Sequence, residues 1–291
     1  MKNVLRIGLP KGSLQESTFE LFRRAGIKIF ADKRSYRPSS DDPDLNITLV
    51  RAQEIPKYVE EGVFDCGVTG YDWILENNAK VKQICELIYA KSGFRAVRWV
   101  VAVPENSRIR SVKDLKGKRI ATELQGYVKR YLQKRKIKAE VEFSWGATEV
   151  KVPELVDAIV ELTETGSSLR ANKLRIVDTI LESTTRFIAN SAALRNGYKK
   201  DKIECLKILL EGALAAENMV GLKMNVQKKN LPGIMKILPS MKKPTVSQLT
   251  LPGWTALEVI LSESEVKVII PKLKKAGAQG IIEYPLNKVI P

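Results

Sequence analysis

"NITLVRAQEIPKYVEEGVFDCGVTGYDWILEN", residues 46–77, changes its period within a single stretch. "NITLVRA" places Ile47 and Leu49 on alternate positions, as a strand does. "EIPKYVEEG" is a short helix with Pro56 near its start and Gly62 at its end. "FDCGVTG" is a second strand, and it opens into "YDWILEN". A strand, a helix and a strand in so short a space predict a parallel pair joined by a crossover. Upstream, "VLRIGL" is another strand and "PKG" a turn. A helix is expected from Ser13, with Glu16 three residues on as a capping box and Gly26 as its stop. The βαβα order predicts a mainly parallel sheet with helices on both faces.

The rhythm restarts after "GFRAVR" (93–98). "WVVAVP" is a strand, "SVKDLKG" a short helix, "KRIAT" a strand and "YVKRYLQKRK" a helix, with "AEVEFSW" and "DAIVEL" as further strands. "IVDTILESTTRFIA" (176–189) supplies strands that lead back to the first half. Two α/β lobes joined by crossing strands enclose a cleft, where ligands meet the carboxyl ends of strands. From about residue 212 the order becomes βαββαβ, a ferredoxin-like unit.

The composition excludes much. The chain of 291 residues has no histidine, so His-based triads and imidazole general bases are ruled out. Cys66, Cys85 and Cys205 lie far apart, as reduced thiols of a cytoplasmic protein do. No apolar run approaches the ~18 residues of a membrane span, and neither a signal-peptide shape nor a membrane role is expected. The formal charge of +16 is partly concentrated, with twelve Lys/Arg in residues 108–138 against only Asp114 and Glu123. That excess suits a Lys-rich surface or an attraction for anionic substrates. With no basic arm, zinc finger or aromatic-studded strand, nucleic acid is not an expected partner.

"DAIVELTETGSSL" (157–169) is the chemically dense segment. Asp157 and Glu161 are four residues apart, so on one strand they share a face. The "TETGSS" turn offers a glycine where backbone N–H groups converge, several hydroxyls and a following helix start, the donor set a phosphate needs. An acid just before it can accept from sugar hydroxyls, and a ribose 5-phosphate fits both. A capped strand-to-helix turn has the same pattern with no ligand.

This segment resembles the phosphoribosyl-diphosphate loop of the ATP phosphoribosyltransferases. The resemblance continues through "GLPKGSL" (8–14), residues 51–72, "GKRIAT" (117–122), residues 157–183 and "LKKAGAQGIIEYPLNKVI" (273–290), and the tail is similar to that of the long form. It implies transfer of a 5-phosphoribosyl group from phosphoribosyl diphosphate to N1 of ATP, in the first step of histidine biosynthesis. It also implies Mg²⁺, held mainly by substrate phosphates without dedicated protein ligands. Carried over, Glu161 contacts the ribose, and Thr163, Thr165, Gly166, Ser167 and Ser168 wrap the 5-phosphate. Lys11, Arg51 and Glu161 form the catalytic set, while Lys11, Gly12, Ser13, Arg51, Asp72 and Glu149 bind ATP. Asp72 has a second reading as the N-cap of the next helix. Asn225, Thr245 and Gly280 map to a pocket for histidine as feedback inhibitor. A homo-oligomer, dimer to hexamer, is implied, with no separate regulatory subunit. The chain departs from the family pattern at Glu161, where Asp is usual, at Asn225, which replaces an acid, and at Arg95, where glycine is common.

The expected architecture is therefore α/β: a two-lobed, periplasmic-binding-protein-like catalytic core with a C-terminal ferredoxin-like (ACT-like) domain. Residues 1–92 and 184–211 form lobe I, 93–183 lobe II with the phosphate loop, and 212–291 the regulatory domain. The alternative function is a two-lobed small-molecule-binding sensor protein without catalysis, since such a fold by itself does not specify chemistry.

Overall fold

The computed structural model describes residues 4–32, 35–89, 96–238 and 244–290, so Arg95 and the join at 92/93 lie outside the described residues. The chain divides into two compact units, residues 1–207 and 208–291.

The first unit begins with β1 (Leu5–Lys11), α1 (Gln15–Arg24), the short pair β2 (Ile29–Phe30) and β3 (Ser39–Ser40), β4 (Leu45–Arg51), α2 (Ile55–Glu60), β5 (Cys66–Gly70), α3 (Tyr71–Asn77) and β6 (Lys82–Leu87). It continues with β7 (Val97–Pro104), β8 (Arg119–Thr122), α4 (Gln125–Lys134), β9 (Glu140–Phe143), β10 (Ala158–Thr163), α5 (Ser167–Ala171), β11 (Leu174–Ser183) and β12 (Thr185–Ala189). The division between the units falls within α6 (Gly197–Ala215).

Two five-stranded sheets result, ordered β4-β1-β5-β12-β6 and β11-β7-β10-β8-β9. In the first, β1 is parallel to β4 and β5, while β12 runs antiparallel to β5 and β6. In the second, β8 is parallel to β9 and β10, while β7 opposes β10 and β11. Each sheet thus has four strands in one direction and a single reversed strand. The reversed strand is the one arriving from the other sheet, because β7 follows β6 and β12 follows β11. That double crossing builds the two-lobed, periplasmic-binding-protein-like core. The mainly parallel sheet read from the sequence is mixed for this reason.

Strand alternation sets the layers. On β7, Trp99, Val101 and Val103 pack with Val128 and Leu132 of α4, whereas Val100 and Ala102 face Leu169 and Leu174 on the other side. On β10, Val160 belongs to the first layer and Ile159 to the second, so Glu161 shares the face of Ile159.

The expected capping box at Ser13 does not form. Helix α1 starts at Gln15 after Leu14, with no side-chain cap. Strand β1 runs through Lys11 and Gly12 takes φ +109°, so the turn moves the N-cap from Ser13 to Leu14 and leaves Ser13 outside the helix.

The second unit contains β13 (Met219–Gln227), α7 (Leu231–Ile237), β14 (Thr245–Gln248), β15 (Trp254–Ser262), α8 (Glu263–Lys275) and β16 (Gln279–Pro285). Its sheet is ordered β14-β15-β13-β16 with every pair antiparallel, a ferredoxin-like arrangement. Leu222, Met224, Val226, Leu257, Leu261 and Leu273 form its core. Ser262 and Glu265 cap α8 reciprocally.

Candidate functional site

Parallel strands present their carboxyl ends together, and both sheets do so around one cavity of about 320 Å³. From the first sheet, β1 and β4 end in register at Lys11 and Arg51, and both side chains line the cavity. Gly12 lets the guanidinium lie close: a Cβ there would stand 3.1 Å from Arg51 Nη1. Ser13 also lines the wall.

Asp72 sits in the first turn of α3, whose N-cap is Gly70, so it is not the cap. It is 3% exposed, and its carboxylate accepts from Trp99 Nε1 at 2.8 Å and from the Trp73 N–H at 3.0 Å. Burial raises its pKa against those bonds.

The second sheet supplies acids. Glu123 follows β8, Glu161 is on β10, Glu164 comes just after it, and all three line the cavity. Burial raises the pKa of Glu161, helped by the charges of Glu149 and Glu123 and opposed by the Thr148 hydroxyl and the Leu162 N–H. Thr148 belongs to a chain in which Lys151 Nζ donates to Ser144 Oγ at 2.9 Å and the Ser144 and Thr148 hydroxyls are 2.9 Å apart. Glu123 is pushed up by burial and then by Asp72 across the cavity.

The phosphate-loop candidates follow directly from this wall. Gly166 takes φ +74° and donates its N–H to Thr163 Oγ1 at 2.8 Å. The Thr165 hydroxyl donates to Ser167 Oγ at 3.1 Å, and Arg170 holds the Thr165 carbonyl at 3.0 Å. Ser168 Oγ donates to Glu149 Oε1 at 2.6 Å, so Glu149 stands at the loop and outside the cavity lining. Thr165, Ser167 and Ser168 keep their hydroxyls exposed around a turn already held in shape.

Asp157 and Glu161 are not brought together. Asp157 precedes β10 and accepts from the Arg119 N–H at 2.9 Å and Lys118 Nζ at 3.4 Å, which anchors the strand base. In the second unit, Asn225 and Gly280 are neighbours: a Cβ on Gly280 would lie 3.5 Å from Asn225 Nδ2. Thr245 is on the edge strand β14, opposite Glu258, with β15 between it and Asn225.

Residue-type reasoning passed over Glu123, Gln53, Trp73 and the Ser183–Thr185 corner, which also line the cavity. Glu123 carried one signal, as the acid ending "RIATE" among twelve cations.

A family model described as ATP phosphoribosyltransferase matches residues 51–212. The chain belongs to the ATP phosphoribosyltransferase family. A second model, described as the HisG C-terminal domain, matches residues 216–288, so this family member carries its own tail. The ATP phosphoribosyltransferase of Thermodesulfovibrio yellowstonii is 61% identical over 288 residues, covering 99% of each chain. That of Desulforudis audaxviator is 59% identical over 287 residues, again 99% of each. Among solved structures, the ATP phosphoribosyl transferase (HisG:HisZ) complex from Thermotoga maritima matches with a TM-score of 0.61 and 28% identity, over 72% of this chain and 99% of that one. Such identity along the whole length favours an ATP phosphoribosyltransferase over a sensor without catalysis.

Proposed function

We propose that the cavity between the two sets of strand ends is where this ATP phosphoribosyltransferase works. The reaction transfers 5-phosphoribosyl from phosphoribosyl diphosphate to N1 of ATP, opening histidine biosynthesis. The observation that supports this placement is the pairing of cations at the ends of β1 and β4 with Glu161 and the hydroxyl loop at the end of β10.

Glu161 takes the ribose hydroxyls, and Thr163, Thr165, Gly166, Ser167 and Ser168 hold the 5-phosphate. Lys11 and Arg51 face the diphosphate and the triphosphate. As the C1–oxygen bond to diphosphate breaks, the cations stabilise the charge gathering on the leaving group while N1 bonds to C1. Alignment of two anionic substrates matters more here than a strong base, which suits a chain without histidine. Asp72 and Ser13 lie on the ATP side, and Glu149 supports the loop through Ser168.

Mg²⁺ fits the donor set as a substrate-bound ion. Glu123 and Glu161 offer carboxylates, but among the described residues no group of three acidic or sulfur side chains forms a metal site. Bound to diphosphate, it would neutralise part of the negative charge.

The tail is assigned to histidine feedback, with Asn225 and Gly280 side by side and Thr245 more distant along the sheet. A chain with this tail needs no separate regulatory subunit, and the dimer-to-hexamer assembly is part of the same reading. A cytoplasmic setting suits the activity. Among the described residues no helix is long and apolar enough to cross a membrane.

The test mixes purified protein with ATP, phosphoribosyl diphosphate and Mg²⁺ and follows adenine-ring absorbance. A change that needs all three components, and that histidine suppresses, is expected. No change with all three present defeats the reading.

A further inference from the structure

Helix α4 begins without a cap of its own. Its N-cap is Leu124, which is buried and has no side-chain hydrogen bond to offer. Free N–H groups at a helix start attract negative charge. Here the charge comes from the other lobe: Glu76, near the end of α3, accepts from Gly126 N at 2.8 Å and from Tyr127 N at 2.7 Å. The favour is returned one turn later, where the Arg130 guanidinium donates to the Leu75 carbonyl and to the Glu76 carbonyl at 3.2 Å. Each helix therefore satisfies the open end of the other.

The approach is close at the glycine. A Cβ on Gly126 would lie 3.0 Å from Glu76 Oε1 and 3.2 Å from the Glu76 carbonyl oxygen. Tyr127 fixes the same turn to its own lobe, with its hydroxyl donating to the Ile180 carbonyl at 3.0 Å. The two helices also carry opposite walls of the cavity. Asp72 and Trp73 are on α3, and Glu123 stands two residues ahead of α4. Trp73 meets Trp99 of β7 edge-on, with ring centroids 6.1 Å apart, which places a spectroscopic reporter beside the junction.

We infer that Glu76, Gly126 and Arg130 form an inter-lobe clamp that sets the separation of Asp72 and Trp73 from Glu123 across the cavity. They are positioning residues, since none of the three lines the cavity. The inference rests on the proposed reading only in taking the cavity as the substrate site.

The experiment uses full-length protein with Glu76→Gln, Gly126→Ala and the double variant. Glu76→Gln keeps the side-chain shape but puts an N–H donor against helix N–H groups, and Gly126→Ala presses a methyl group against the Glu76 carboxylate and carbonyl so that one of them must shift. Each single change is expected to lower kcat/KM about tenfold, the effect of about one charge-assisted hydrogen bond. Both act on one contact, so the double variant should be no worse than the poorer single. In a Trp145→Phe, Trp254→Phe background, emission reports only Trp73 and Trp99, and it should shift in both single variants while the melting temperature moves by no more than about 3 °C. Unchanged kcat/KM, multiplying effects, or a loss matched by unfolding overturns the clamp. Should Gly126→Ala not fold, Arg130→Met takes its place in the cycle. Absence of transferase activity in the unvaried protein would remove the functional reading alone, because the Trp73 and Trp99 emission shift, present in both single variants and no larger in the double, still decides the clamp.

Discussion

The two lobes share one plan and present side chains of opposite charge at the strand ends that face the cavity. Each is a five-stranded sheet with a single reversed strand supplied by the chain's crossing. At the carboxyl ends of its parallel strands the first sheet presents Lys11 and Arg51, while the second presents Glu123 and Glu161. A scaffold of this kind fixes where strand ends meet, and the residues placed there decide what the meeting can do. Under the proposed reading, the cation wall takes polyphosphate and the acid wall sugar hydroxyls, and substitutions on each wall test that division.

The cation wall should give the largest effect. Arg51→Ala is expected to lower kcat/KM by about 10²- to 10³-fold, and steady-state kinetics at saturating Mg²⁺ measures it. Arg51→Lys should recover only part, because an ammonium lacks the planar fork. Equal activity in Arg51→Ala would show that the cation end is structural.

On the acid wall, Glu161→Gln should reduce kcat by about a hundredfold, with Glu161→Asp keeping most of the rate, since hydrogen bonds to ribose hydroxyls strengthen in an oxocarbenium-like transition state. If Gln and Asp behave alike, the carboxylate charge is not what counts.

A smaller change is expected at the loop. Gly166 holds φ +74°, where a Cβ strains the backbone by about 1–2 kcal/mol. Gly166→Ala should raise KM for phosphoribosyl diphosphate about tenfold with KM for ATP little altered. A rise in both would place the loop's role outside phosphate binding.

The smallest effect concerns stability. Burial and then Asp72 hold Glu123 above the ordinary carboxylate range. Below about pH 4 the group is protonated in folded and unfolded chains alike, so it contributes no difference. As pH rises through the unfolded value, ionisation is free in the unfolded chain and opposed in the folded one, and stability falls until the folded group ionises too. The deficit persists at pH 7. Glu123→Gln should thus raise the melting temperature at pH 7 by roughly 2 °C, with the gain vanishing near pH 4. A gain independent of pH would mean that packing, not charge, is responsible.

Much of this was legible in the chain. The "NITLVRAQEIPKYVEEG" period announced β4 and α2, and the βαββαβ order announced the ferredoxin-like sheet. Lys11 with Ser13, Arg51, Asp72 and Glu161 come from four separate places along the chain, and all line one cavity. What escaped depended on backbone turns and strand neighbours that residue type does not reveal. Ser13 followed by Glu16 has the form of a capping box, yet the turn at Gly12 carries the helix start past it. Asp157 and Glu161 have the spacing of a pair, yet Arg119 and Lys118 hold the first at the strand base. Thr245 is on the tail's edge strand, a place that pairing order determines and local pattern does not.

The sequence by itself determined the α/β alternation, the glycine turn after β10 and the exclusion of histidine chemistry, because periodicity, turn residues and residue type are local properties. Only the tertiary structure decided that Glu123 faces Asp72 and that Glu76 caps a helix 50 residues further on. Both depend on two crossing strands that bring separate sheets around one cavity, and a buried charge takes its energy from whatever the fold places beside it.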